Sequence, residues 1–204
     1  MSWEDDWLSA ERSAEDEENL EVAASFRPVA GGAAAYFEEA QAGVIRYLVS
    51  QVAELVSADS TATDAGIDSG DLEAQLGLSN HATLPDDPVL ARLLPDGYSD
   101  DPAASAEFRR YTEESLRSGK IAAAQTVLSS LPPGGGQVQL SEPECQQWLK
   151  ALNDVRLALS VRLGITDENE DISERLSADD PRAAYVWVYQ WLAYLQESLV
   201  EALS

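Results

Sequence analysis

Residues 107 to 120, EFRRYTEESLRSGK, hold Arg109, Arg110, Arg117 and Lys120, four of the thirteen basic residues in a chain of formal net charge −24. Cations gathered in this way can grip a phosphate, a carboxylate or an acidic protein surface. On a helix, Arg109 stands four residues before Glu113, Glu113 four before Arg117, and Arg110 four before Glu114. That is the spacing of intrahelical ion pairs. Exposed pairs of this kind contribute only about 0.3–0.5 kcal/mol each. With Glu107, Glu113 and Glu114 beside the four bases, the segment compensates most of its own charge. Arg110, Arg117 and Lys120 still fall in one sector of the helix. Two readings follow: ion pairing and packing within the fold, or a recognition site for an acidic partner or DNA phosphate.

A second polar group lies in LNDVRLAL, where Asp154 and Arg156 flank an apolar face made by positions 149, 152, 155, 159 and 163. Partly buried Arg–carboxylate pairs to a neighbouring helix, or a polar pocket, would use these residues. Cys145, the single cysteine, sits in the first turn of its helix. A helix N-terminus favours the thiolate, whereas Glu142 and Glu144 oppose it. Either a redox-active or an idle thiol fits. The single histidine, His81, falls in a polar loop, so no Cys–His pair is indicated. One Cys and one His do not furnish a soft-metal site. DENED at 167–171 lacks the glycine and terminal glutamate of a calcium loop. PPGGG at 132–136 has no lysine and no strand-to-helix setting for a phosphate loop, and no G-x-S-x-G occurs. No catalytic residue, metal or cofactor is indicated, and the chain reads as non-enzymatic.

The bulk charge narrows the partners. A chain at −24 repels nucleic-acid backbones, so direct DNA binding is disfavoured and a protein partner is expected. No stretch is long and apolar enough to span a membrane, and the acidic start, MSWEDDWLSAERSAEDEE, does not read as a signal peptide. A cytoplasmic protein is expected, with a homodimer open.

Residues 1 to 21 carry nine acids and one arginine and read as a disordered tail, with Trp3 and Trp7 one helical turn apart. Residues 22 to 204 read as one mainly helical domain: a helical bundle with a small antiparallel sheet. Two extended runs around Gly31 and Gly32 suggest a hairpin, and QVQL a further strand. Val44, Leu48, Val52, Leu55 and Val56 trace one face of a helix over 37–58. Asp87-Pro88 and Asp101-Pro102 each place a capping carboxylate before a proline that opens a helix. The second of these helices runs towards Leu131, with a break or bend expected near Gly119. Ser141 and Glu144 form a capping-box pattern for a helix that stops at Gly164. A last helix is expected from Pro181, apolar on nearly every side between Tyr185 and Leu195 and so central in the core.

Three long phrases, DDPVLARLLPDGYSDDPAASAEFRRYTEESLRSGK, WLKALNDVRLALSVRLG and WLAYLQESLVEAL, resemble an actinobacterial family of domains of unknown function. The resemblance covers roughly residues 25 to 203. Genes of that family commonly neighbour the gene of the ClpS protease adaptor. The family includes a redox-sensitive transcription regulator of oxidative stress that acts with an alternative sigma factor. The resemblance therefore implies a regulatory role exerted through a sigma factor or RNA polymerase, or else an adaptor role in ClpS-dependent proteolysis. The redox mode it implies relies on a cysteine pair. With Cys145 unaccompanied, an internal disulfide switch has no second thiol here. Sensing would need an intermolecular bond, a small-molecule cap or sulfenic acid.

Overall fold

The computed structural model describes residues 24–64, 85–98, 100–166, 180 and 182–204, with backbone alone over 58–64. The expected acidic tail with Trp3 and Trp7, the loop carrying His81 and the acidic stretch 167–171 lie outside the described residues.

The chain runs β1 (Arg27–Val29), β2 (Gly32–Phe37), α1 (Glu39–Asp64), α2 (Pro88–Leu93), α3 (Pro102–Ser130), β3 (Gly136–Ser141), α4 (Glu142–Leu163) and α5 (Ala183–Ala202). It is a mainly helical fold with a three-stranded antiparallel sheet of order β1-β2-β3. The hairpin forms where the two glycines foretell it. Val29 pairs with Gly32 across a two-residue turn, and Gly31 takes φ +79°, which a side chain would resist. Gly32 has a second reason to be glycine: a Cβ there would collide with the Leu140 carbonyl of β3.

The helix starts follow their caps. Asp87 accepts from the amides of Val89 and Leu90 at 2.7 and 3.1 Å. Asp101 accepts from Ala103 and Ala104 at 3.1 and 3.0 Å. Glu144 reaches back to the Ser141 amide at 2.8 Å and to its hydroxyl at 2.6 Å. Gly164 ends α4 in the left-handed region at φ +66°, and the Ile165 amide closes the turn on the Ser160 carbonyl at 2.8 Å. Pro181 lies outside the described residues, and α5 itself begins at Ala183.

Three expectations need correction. α3 does not break at Gly119 but runs unbroken to Ser130. A mid-helix glycine costs only about 1 kcal/mol against alanine, and buried anchors on both sides of it, Arg117 and Ala123, keep the helix continuous. Nor is α5 the centre of the core. That place belongs to α4, which packs against the other four described helices and against β2 and β3. α5 covers one flank: half-buried Trp187 stacks on buried Trp191 at 5.8 Å, whereas Tyr194 on the outer side stays 45% exposed. The deepest face of α1 is also rotated from the expected one. Ala42, Ile45, Val49 and Val56 are buried, whereas Leu48, Val52 and Leu55 are only half-buried.

The interior falls into two apolar clusters. The larger joins the sheet, α1, α4, α5 and the C-terminal half of α3, with Trp148 fully buried against Phe26 and Phe37. The smaller gathers Val56, Val89, Leu90, Leu93 and Leu94, and anchors α2.

Candidate functional site

The N-terminal half of α3 buries an unusual face. Ser105, Arg109, Glu113 and Arg117, each four residues from the next, all point inward. Glu113 is 1% exposed, and the two arginines are 4% exposed. The expected ion-pair ladder is therefore present, but inside the protein rather than on a solvated helix surface. Arg109 donates through Nη1 to Glu113 Oε2 at 2.9 Å. Its Nη2 donates to Asp96 Oδ1 at 2.7 Å and to the Leu94 carbonyl at 3.1 Å. Arg117 donates through Nε and Nη2 to Glu113 Oε1 at 2.9 and 2.7 Å, and through Nη1 to the Val56 carbonyl at 2.7 Å. Burial works against the Arg109 cation, but Asp96 and Glu113 more than offset it and hold the guanidinium above its ordinary pKa.

Glu113 is shared by the two buried arginines, and the second positive charge is balanced at the rim by Asp96, whose side chain is 39% exposed. Charges leave water at a cost of several kcal/mol each unless paired and hydrogen-bonded. Arg109 fastens the end of α2, and Arg117 fastens a carbonyl of α1. The ladder is a polar clamp holding three helices where the inner face of α3 carries no large apolar side chain.

Lys120 continues the same face and links the two polar groups that the sequence picks out. Its Nζ donates to Asp154 Oδ1 at 2.6 Å, from α3 to α4. Asp154 is 4% exposed, inside the core boundary rather than at its flank, because α4 has neighbours on almost every side. Burial pushes the Asp154 carboxyl above the usual range, and Lys120 only partly reverses this. Arg156 points elsewhere. It donates to Gln196 Oε1 at 2.8 Å and lies 4.9 Å from the Tyr189 ring centroid, tying α4 to α5. Asp154 and Arg156 thus do not share one pocket. Arg110 is half-buried, on the flank of α3 that also carries Glu107 and Glu114.

Cys145 lies under the sheet with no exposed surface, its Sγ 3.9 Å from the Leu140 carbonyl. Burial pushes the thiol pKa up, with Glu144 and Glu142 adding to the shift. Hydrogen bonding to the Ala33 and Cys145 backbone, which favours the thiolate, is outweighed. Among the described residues no group of three or more His, Cys, Asp or Glu side chains is placed to hold a metal ion. Among the described residues no helix is long and apolar enough to cross a membrane. A mainly apolar groove of about 320 Å³ opens between α1 and α4, lined by Tyr47, Leu48, Val52, Leu55 and Leu159 among others.

Glu113 enters the sequence reading only as an ion-pair partner, and two residues of this framework, Asp96 and Arg46, do not enter it at all. Asp96 completes the ladder. Arg46 of α1 donates to the Leu128 and Leu131 carbonyls at 2.6 and 2.7 Å, capping the far end of α3. The signal for Glu113 is its double i, i+4 partnership. Asp96 and Arg46 meet their partners only through tertiary packing.

Comparison with known proteins gives the class. Residues 23–203 match the family described as "Domain of unknown function (DUF2017)". The chain belongs to this family. It is similar to the protein named "Oxidative stress regulator AosR" in Mycobacterium tuberculosis (strain ATCC 25618 / H37Rv), with 40% identity over 154 residues covering 69% of each chain. The Mycobacterium bovis protein of the same name shows the same identity and coverage. No solved structure matches the chain.

Proposed function

We propose that the chain is a non-enzymatic regulatory protein of the oxidative-stress response that acts by engaging another protein, a sigma factor or RNA polymerase, in the cytoplasm. The observation that carries this reading is the 40% identity to relatives named as oxidative stress regulators. The geometry favours a protein partner over nucleic acid. Of the four bases that could have met phosphate, Arg109, Arg117 and Lys120 are committed to Glu113, Asp96 and Asp154. What faces solvent belongs to a chain of net charge −24. The burial of Cys145 favours a protein that transmits an oxidative signal over one whose own thiol meets the oxidant first.

A pull-down from native lysate, with and without oxidant, tests the reading. A transcription-related protein captured by both the parent chain and Cys145→Ser is the expected result. Capture of ClpS or its protease in its place would point to an adaptor in proteolysis, and capture of neither would remove the support for a regulatory partner. The same reading treats residues 22–204 as the folding unit. Deleting residues 1–21 is then expected to leave the melting temperature within a few degrees of the parent, as checked by calorimetry.

A further inference from the structure

α3 turned inside out has an outer face to explain. While Arg109, Glu113 and Arg117 point inward, Phe108, Tyr111 and Leu116 remain 44%, 63% and 44% exposed. Tyr98 packs edge-on to Phe108 at 5.9 Å and is itself 52% exposed, widening the patch. At 100° per residue, exposed Phe108, Tyr111, Ser115 and Gly119 and half-buried Ala104 and Thr112 occupy one contiguous sector, with Leu116 at its edge. No residue of that sector is charged, in a chain where a quarter of all residues are. The charged flank, Glu107, Arg110 and Glu114, lies to one side of it.

We propose that this sector is a two-fold interface that pairs α3 antiparallel with α3 of a second copy of the chain. The sector is self-complementary. An axis between Tyr111 and Thr112 sets Phe108 of each copy opposite Ser115 of the other, and Ala104 opposite Gly119. Each large ring thus meets a small residue, twice over, as an isologous contact requires. A Cβ at Gly119 would meet nothing within 4 Å in its own chain, so the space over that glycine is open to a partner helix. Charge points the same way. Two copies at −24 repel each other, and an uncharged face is where they approach at least cost. One helix pair with a few aromatics falls below the roughly 1,200 Å² of stable complexes, so the dimer is a reversible one. This pairing does not depend on the regulatory reading.

The test is sedimentation equilibrium of the full chain over a concentration series, at low and at high salt. The mass is expected to rise from monomer towards dimer with concentration. It should rise further with salt, because screening weakens the mutual repulsion. Ser115→Glu, an exposed change, is expected to weaken association at least tenfold while leaving the melting curve in place. Thr112→Cys near the axis is expected to form a disulfide-linked dimer under mild oxidant, and Ala122→Cys, exposed further along α3, is not. A parent chain that stays monomeric throughout overturns the proposal. So does association that Ser115→Glu leaves unchanged. Two further results would assign the patch to another occupant and equally overturn it. One is a monomer whose capture of a lysate protein is lost in Ser115→Glu. The other is a monomer that dimerises only after residues 1–21 are deleted.

Discussion

The two halves of α3 solve the same packing problem with opposite chemistry. From Ala123 to Leu131 the inner face is Ala123, Ala124, Val127 and Leu131, seated in the main core. From Ser105 to Arg117 it is Ser105, Arg109, Glu113 and Arg117, seated against α1 at Val56 and against the end of α2 at Leu94. The apolar half gains from leaving water and tolerates small adjustments. The polar half is held by directional bonds that must all be present together, because each missing partner strands a buried charge. The contrast teaches that a cluster of basic residues in an acidic protein can be structural glue. It also explains why the outer face of the same segment is free to be apolar.

Substitutions on the two inner faces separate these two kinds of packing. The largest effect is expected for Glu113→Ala, which leaves Arg109 and Arg117 buried without their shared carboxylate. It should cost about 3–5 kcal/mol in urea unfolding, and a loss below about 1 kcal/mol would show that the ladder is solvated. Val127→Ala in the apolar half removes two buried carbons and should cost about 2 kcal/mol by the same assay, less than Glu113→Ala.

Asp154 should give a smaller, pH-dependent effect. Its carboxyl titrates higher in the folded state than in the unfolded chain. Between those two values the folded state holds more protons. Its contribution to stability is therefore full below the unfolded pKa and lost as pH rises through the folded pKa. Relative to Asp154→Asn, the parent should lose stability as pH rises through that window. A difference that is flat with pH, or of the opposite slope, would contradict the burial argument. The smallest effect belongs to Arg110→Gln, on the flank of α3, which should change stability by less than about 0.5 kcal/mol. Thiol chemistry offers an independent check of burial. Cys145 should react with an aromatic disulfide reagent at least about a hundredfold more slowly in the native protein than in urea. Equal rates would mean that the sheet does not cover it.

Local rules made much of the fold legible. The Asp-Pro caps, the Ser141–Glu144 pair, Gly164 and the Gly31-Gly32 hairpin depend on neighbours within about four residues, and each of these is visible in sequence. So was the Arg109–Glu113–Arg117 spacing. What the spacing does not reveal is which side of the helix faces in. An i, i+4 ladder has the same signature on a solvated surface and in an interior, because the deciding partners, the carbonyls of Val56 and Leu94, are remote and belong to the backbone. Lys120 and Asp154 were singled out separately, and their pairing across 34 residues follows only once α3 lies on α4. The central place of α4 was hidden for a similar reason. Its buried Asp154 lowers its apparent hydrophobicity, whereas the many aromatics of α5 raise the apparent burial of a helix that covers only one flank.

The inward charges of α3, Arg109, Glu113 and Arg117, are spent inside the molecule. A double-mutant cycle between Glu113 and Arg117, read by urea unfolding, tests this most directly. A coupling energy of about 2 kcal/mol or more is expected for a desolvated, hydrogen-bonded pair. A coupling of about 0.3–0.5 kcal/mol, the value of an exposed pair one helical turn apart, would contradict it.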